Sequence, residues 1–358
     1  MRLLDEIERG MALSPAVRRA FERVDRALFV SSYFEHHGTY WVEQADASQV
    51  VSHNRPLVTH LDAAGVPDSS SSQPSLMAAM LEALDVQPGM RVFEIGTGTG
   101  YNAALLRVLV GTQGQVVSID IDPELIHQAQ AHLHAGGWED VQLIVGNGFE
   151  GYAPGAPYDR IIATGAFRTL PVPWCEQLVL GGILVGNLRG PLASVLIRLV
   201  NTPEGMEGWM LPHSALFMEL RPGPGLMMKP FDWAPYDAIP GETAFPEVDL
   251  ATALQNPSFL VYLQGKQPAL RLQFRHDGQA LSSWLLDTRQ RASLSMAVAP
   301  PADRRVMNRG ALLSRVLEAY QQWHARGKPL LSAYRIRQID GNLWVHLAGE
   351  QWPLVPDS

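Results

Sequence analysis

The stretch Phe93-Glu94-Ile95-Gly96-Thr97-Gly98-Thr99-Gly100-Tyr101 decides the fold. Before it, Arg91–Ile95 reads as an apolar strand; after it, Ala103–Val110 reads as a helix. Glycine at every second position lets the backbone turn sharply there and lie close to a ligand. Asp120 ends the next apolar run, Gln115–Ile119, where a carboxylate can bond both hydroxyls of a ribose. Further outward, Val141–Val145, Arg160–Ala163 and Ile183–Val185 read as strands, with Pro123–Leu133 helical ahead of the first of them. This alternation predicts an α/β fold, a doubly wound parallel sheet with crossover helices. Ser194–Val200 and Trp209–Leu220 flank Pro203-Glu204-Gly205 and predict an antiparallel hairpin that closes the sheet edge.

Two ligand types compete for the loop. A dinucleotide loop has Gly-x-Gly-x-x-Gly, but its third glycine position is Tyr101 here. Alternating glycines with an acid, Glu94, just ahead suit S-adenosylmethionine (SAM) instead. That molecule has no pyrophosphate to cradle, and its ammonium and sulfonium favour a nearby carboxylate. Gly146-Asn147-Gly148 follows the third strand, where a polar side chain can meet the adenine edge.

Upstream, Ser14 suits the N-cap and Pro15 the first turn of a helix running to Leu28, with Val17, Phe21, Val24 and Leu28 on one face. Phe34–Pro74 loses this periodicity and reads as a long irregular segment holding His36, His37, His53 and His60. It ends in Ser69-Ser70-Ser71-Ser72-Gln73-Pro74, ahead of a helix over Ser75–Leu84. Such a serine run is often a flexible linker; its place directly before that helix favours a functional reading.

From about Ser14 to Leu220 the chain resembles the protein-L-isoaspartate O-methyltransferase family, Rossmann-like class I methyltransferases. The resemblance rests on Arg23–Val30 (RVDRALFV), Ser72-Gln73-Pro74, Glu94–Gly100, Pro157–Ile162 (PYDRII) and Gly181-Gly182. It implies that Ser70 and Ser72, at the family's Thr/Ser-x-Ser-x-Pro positions, are the catalytic hydroxyls facing the acceptor carboxylate. It assigns SAM binding to Ser72, Gln73, Ser75, Glu94, Gly96, Thr97, Gly98, Gly100, Asp120, Ile121, Gly146, Asn147, Gly148 and Thr164. The family usually has Gly-Asp-Gly where this chain has Gly146-Asn147-Gly148. It implies no metal. The family's repair enzymes end near Leu220, which makes residues 222–358 an extension. The length, the four serines and that Trp-containing extension are similar to an actinobacterial subgroup that methylates an aspartate in a constrained ribosomal precursor peptide (lasso peptide, lanthipeptide or graspetide). The ester then gives aspartimide or isoaspartate.

Composition sets the frame. The chain has 358 residues, 46% apolar and 18% charged, a globular composition long enough for about two domains. A methyltransferase domain is expected over 1–221 and an α+β substrate-binding domain over 222–358, joined by the Pro/Gly-rich linker 222–246. In the second part Phe259–Leu263, Leu270–Phe274, Ala280–Leu286, Ser293–Val298, Ser332–Ile336 and Leu343–Leu347 read as strands. Ala311–Arg326 reads as a helix closed by Gly327, and Trp233, Trp284, Trp323, Trp344 and Trp352 as core. The net charge of −8 divides unevenly: 24 acids and 14 bases before residue 222, 12 and 14 after it. Arg304, Arg305, Arg309, Arg315, Arg326, Lys328, Arg335 and Arg337 share their stretch with one acid, Glu318, and read either as a solvated face or as a patch for an acidic partner. The single cysteine, Cys175, excludes a disulfide scaffold and reads as a small buried hydrophobe. His127, His132 and His134 lack the spacing of zinc ligands on a helix. The acidic balance argues against nucleic acid as a partner. With neither a leader-like nor a membrane-length apolar run, a soluble, cytoplasmic monomer is expected.

The chemistry fits this sparse inventory. An acceptor carboxylate is already ionised at neutral pH and the methyl of SAM is already activated, so no general base is needed. Positioning remains, with hydroxyls to orient the carboxylate. The leading reading is therefore a SAM-dependent O-methyltransferase acting on an aspartate of a precursor peptide. The alternatives are a general isoaspartate repair enzyme and a non-catalytic SAM- or peptide-binding module.

Overall fold

The computed structural model describes residues 3–38, 40–222, 231–276, 281–297 and 304–354. Residues 223–230 of the expected linker, and Ala280 and Val298 of two expected strands, lie outside them. Two compact units divide the chain. The first comprises Met1–Leu188, Leu196–Gly208 and Ala215–Leu226; the second comprises Arg189–Val195, Trp209–Ser214 and Met227–Ser358.

The first unit opens with helices α1 (Leu3–Glu8) and α2 (Pro15–Arg23). Ser14 caps α2, its Oγ accepting from Val17 N at 3.3 Å. The helix stops five residues short of Leu28 because Val24 turns extended and Asp25 caps a separate short turn, Arg26–Leu28. The segment expected to be irregular instead forms four strands, β1 (Tyr33–His37), β2 (Tyr40–Gln44), β3 (Leu57–Leu61) and β4 (Pro67–Ser71), in the order β2-β1-β3-β4. The described pairings among them are antiparallel. Most of the serine run thus lies in a strand, although little in its sequence favours one.

The central layer follows: α3 (Pro74–Leu84), β5 (Arg91–Ile95), α4 (Tyr101–Val110), β6 (Gln115–Asp120), α5 (Pro123–Gly136), β7 (Gln142–Val145), β8 (Tyr158–Phe167), α6 (Val172–Glu176), β9 (Leu178–Arg189), β10 (Ser194–Thr202) and β11 (Gly205–Ser214). Strands β9-β8-β5-β6-β7 lie in that order and pair in parallel. Chain order reverses at β5, between β6 and β8, so the glycine loop emerges at the switch point of a doubly wound sheet. The expected hairpin is present as β10 and β11 beside β9, but β11 ends at Ser214 rather than Leu220 and the hairpin does not close the sheet edge, because the strand order continues beyond β11. Phe93, Ile161, Ile162, Leu184 and Val185 are fully buried, as strands covered on both faces require.

The second unit contains α7 (Ala234–Asp237), β12 (Glu242–Ala244), α8 (Leu250–Ala253), α9 (Pro257–Lys266), β13 (Leu270–His276), β14 (Leu281–Asp287), β15 (Ala292–Ala297), β16 (Val306–Arg309), α10 (Leu312–Ala325), β17 (Arg335–Ile339), β18 (Asn342–Leu347) and β19 (Glu350–Pro353). One sheet runs β12-β16-β15-β14-β13, and β17, β18 and β19 form a meander. Phe259–Leu263, read as a strand, is helix α9. Its residues Phe259, Leu260, Val261, Tyr262 and Leu263 are all buried, and an all-round apolar run has the same periodicity in either element. The decision lies just before it: Asn256 accepts from Ser258 N and Phe259 N, and Pro257 takes the first helical position. Trp284, Trp323 and Trp352 are buried and Trp233 and Trp344 half-buried.

The arginine stretch is not one field facing a single acid. Arg315 pairs with Asp287 at 2.7 Å, Arg326 with Glu350, and Arg304 donates to the Glu247 carbonyl. Arg309 lies over the Trp284 ring and Arg335 over Trp209. The acids and rings it needs come from other elements of the same unit. Removing the α9 cap with Asn256→Ala should cost about 1 kcal/mol. Denaturant titration against the wild type measures this, and no change would mean that burial alone holds the helix.

Candidate functional site

The glycine loop needs glycine for its positive backbone angles and, at Gly96, for one close contact. Gly96 has φ +97°, and a Cβ there would lie 2.8 Å from Thr164 Oγ1. Thr164 donates to the carbonyls of Ile95 and Gly96 at 3.1 and 2.7 Å, fastening the loop to β8. Gly98 has φ +51°, and a Cβ there would sit 3.4 Å from Ser69 Oγ, so β4 passes directly over the loop. Gly98 N donates to Asp120 Oδ2 at 2.9 Å, and Asp122 N to Asp120 Oδ1 at 3.2 Å. Burial pushes the Asp120 carboxyl upward, against these two donors.

One cleft is lined by the loop, by Asp68–Ser72, by Asp120 and Ile121, by Gly148 and Phe149, by Thr164 and by Phe217–Arg221. It brings together Ser70, Ser72, Gly96, Thr97, Gly98, Asp120, Ile121, Gly148 and Thr164 from the residues anticipated in the sequence. Among the described residues, the Ser70 and Ser72 hydroxyls have no protein partner, and both residues are half-buried. Ser71 faces the other way and accepts from Arg26 Nε at 3.0 Å.

Glu94, Gln73, Ser75, Gly100, Gly146 and Asn147 do not line the cleft. Glu94 lies under the loop, fully buried, accepting from Asn102 Nδ2 at 2.7 Å and Ser118 Oγ at 2.6 Å. Thr97 Oγ1 continues the chain to Ser118 at 2.7 Å. Burial pushes the Glu94 carboxyl up to about 7, with Ser118 and Asn102 opposing. Asn147 caps its own turn, accepting from Phe149 N at 3.1 Å and donating to Glu150. Its carbonyl is therefore already engaged where an adenine contact was expected. Gln73 donates to Ser75 Oγ at 3.0 Å at the start of α3.

Other lining residues carried no site signal in the sequence: Asp68, Asn102, Phe149 and the segment 217–221. Phe149 stacks near the buried Trp174, whose Nε1 donates to Gly148 O at 2.7 Å. Arg221 pairs with Asp68 at 3.3 Å, and His60 Nδ1 lies 2.6 Å from the other Asp68 oxygen. Asp122 approaches the same group, the one set of at least three metal-capable side chains among the described residues; Arg221 already engages one carboxylate of it.

Arg26 arranges the serine strand. It is 2% exposed, and its donors go to the carbonyls of Val51, His53, Arg55, Ser71 and Ser72 as well as to Ser71 Oγ. Burial without a carboxylate partner pulls its guanidinium down to about 10.

The model of the family described as Protein-L-isoaspartate(D-aspartate) O-methyltransferase matches residues 2–194. The chain belongs to this family. With it come the class I methyltransferase fold, SAM as cofactor and carboxyl O-methylation as the chemistry. The protein-L-isoaspartate O-methyltransferase of Ignicoccus hospitalis is 43% identical over 135 residues, 37% of this chain and 64% of its own length. Protein-L-isoaspartate O-methyltransferase 1 of Archaeoglobus fulgidus is 39% identical over 184 residues, 51% of this chain and 74% of its own. A solved structure named protein-L-isoaspartate O-methyltransferase aligns over 97% of this chain and 98% of its own, with TM-score 0.57 and 20% identity. A protein of that name therefore matches the second unit as well, so residues 222–358 do not separate this chain from every relative named for isoaspartate. A Plasmodium falciparum family member, solved with S-adenosyl-L-homocysteine, covers 62% of this chain and 97% of its own at TM-score 0.51 and 16% identity. No described helix is long and apolar enough to cross a membrane.

The cleft suits SAM by its own chemistry. The loop admits close approach, Asp120 lines the cleft at the end of β6, and buried Asn102 Oδ1 has no partner among the described residues. Two predictions follow from the buried charges. Arg26→Lys keeps the charge but cannot serve the same set of acceptors, so it should lower the melting temperature by several degrees and weaken acceptor turnover more than cofactor binding. Unchanged melting would remove Arg26 from this role. Glu94 holds its proton more tightly folded than unfolded, where its pKa is near 4.5. Its stabilising contribution is then complete below that value and lost as pH rises through about 7, by roughly 3 kcal/mol in all. Glu94→Gln should flatten this part of the stability–pH curve; an unaltered slope would assign it to other groups.

Proposed function

We propose that this chain transfers the methyl group of SAM to an aspartate-derived carboxylate in a peptide, with isoaspartyl residues as the first acceptor class. The observation that carries this is the pair of unpartnered hydroxyls, Ser70 and Ser72, in the cleft that holds the glycine loop and Asp120. When bound, SAM supplies an electrophilic methyl: its carbon–sulfur bond breaks, a carboxylate oxygen–carbon bond forms, and S-adenosylhomocysteine is left. Ser70 and Ser72 donate to the acceptor carboxylate and hold it in line, while β4 over Gly98 keeps the reacting atoms dry. No residue needs to remove a proton. The next backbone nitrogen then displaces methanol from the ester and closes a succinimide without help from the enzyme.

A second reading places the acceptor in a constrained ribosomal precursor peptide, modified in the cytoplasm, with the second unit holding the rest of that peptide. The four-serine run, where the family has Thr/Ser-x-Ser-x-Pro, favours it; the names of the relatives favour repair.

A short isoaspartyl peptide and a cyclic aspartyl peptide, each incubated with SAM, separate the two readings. Mass spectrometry of the peptide and assay of S-adenosylhomocysteine should show methylation of the isoaspartyl peptide, followed by loss of methanol. Turnover of the cyclic aspartyl peptide alone would reverse the order of the readings, and turnover of neither would overturn both. Ser70→Ala and Ser72→Ala should each lower kcat/KM about tenfold to a hundredfold, with S-adenosylhomocysteine affinity changed much less.

A further inference from the structure

We propose that Asn102 is a cofactor-binding residue: its side-chain carbonyl receives the ammonium of the methionine tail, and Glu94 acts on that ammonium through the Asn102 amide rather than by touching it. This goes beyond the acceptor chemistry above and does not depend on which peptide is methylated.

The starting point is the displacement of Glu94 from its expected place. An acid ahead of the glycines was expected to face the cationic cofactor, yet Glu94 does not line the cleft, and each of its oxygens already accepts a hydrogen bond. Asn102, in the first turn of α4, does line the cleft and is 8% exposed. Its Nδ2 donates to Glu94 Oε1 at 2.7 Å. Nitrogen and oxygen occupy opposite branches of a planar amide, so committing Nδ2 to Glu94 turns Oδ1 away from that carboxylate.

Oδ1 is buried and, among the described residues, accepts no hydrogen bond. A buried amide oxygen is rarely left so. An ammonium has donors only, and a carbonyl oxygen is an acceptor only. The carboxylate behind the amide polarises it, making Oδ1 more negative in a place where water does not screen the effect. Reversing the amide would set its oxygen against the Glu94 carboxylate, so the network Glu94–Ser118–Thr97 also fixes which end of Asn102 faces away from Glu94.

Calorimetric titration tests this with three probes and no peptide. They are S-adenosylhomocysteine, its analogue with hydrogen in place of the ammonium, and 5′-methylthioadenosine, which lacks the amino-acid tail. In the wild type, loss of the ammonium should weaken binding by about tenfold or more. Asn102→Ala should bind S-adenosylhomocysteine more weakly by a similar factor, gain nothing further from loss of the ammonium, and keep its affinity for 5′-methylthioadenosine. That last probe reports an intact loop and separates the effect from misfolding. An equal loss on removing the ammonium in wild type and variant would overturn the proposal. Parallel loss of all three affinities in Asn102→Ala would also overturn it, by making the residue structural. Failure of every peptide substrate would leave these titrations untouched, so the two conclusions stand or fall separately.

Discussion

A buried arginine without a carboxylate organises the acceptor side of this molecule. Arg26, in the turn after α2, donates to five backbone carbonyls and one hydroxyl, drawn from 51–55 and from Ser71 and Ser72 at the end of β4. A guanidinium taken from water is costly unless every donor is used, and here backbone oxygens use them. The consequence is geometric. Consecutive serines have no strand propensity to speak of, yet this grip fixes their alternation. Ser71 is turned inward to Arg26, and its neighbours Ser70 and Ser72 are left with hydroxyls unclaimed. The serine strand is therefore specified by a residue more than forty positions away, in a helix-terminating turn.

On the cofactor side the corresponding element is an acid. Glu94 ties the end of β5 to β6 through Ser118, to α4 through Asn102 and to the loop through Thr97. Burial makes ionisation expensive, and a cationic ligand nearby offsets that cost. The same carboxyl that destabilises the empty fold as pH rises thus favours the occupied one. This pattern, local strain that a ligand relieves, is common where sites are preorganised.

Sequence reading carried different parts of this unequally. The alternating strands and helices from Arg91 onward, the glycine loop and Asp120 were legible because each rests on local patterning. The four-stranded sheet around β4 was not, since β1, β2 and β3 are five-residue strands without clear alternation and β4, Pro67-Asp68-Ser69-Ser70-Ser71, is polar and gripped at its end by Arg26. Helix α9 was misread because Phe259–Leu263 is buried on all sides, and only Asn256-Pro257 marks its start. Glu94 was legible as important but not in its position. The sequence shows the acid; only packing shows that Asn102 stands between it and the cleft. Segment 217–221 was invisible for a similar reason, because its place in the site follows from backbone pairing of Ala166 with Met218 and Leu220.

The electrostatics of the acceptor site argue for restraint rather than strength. In methyl transfer to a carboxylate, a negative oxygen and a positive sulfur both lose charge on the way to the transition state. A free cation beside the acceptor would stabilise the reactants more than that state, and would slow the step it appears to assist. Neutral hydroxyls orient without this penalty. Arg221 is the nearby cation that could upset the balance, and Asp68 engages it at 3.3 Å while His60 sits on the other oxygen of the same carboxylate. The pairing lets the wall of the cleft carry an arginine without placing an unbalanced charge in it. Removing Asp68 should therefore be worse for kcat than for acceptor binding, because it would free a cation that binds the carboxylate well and lets it react poorly.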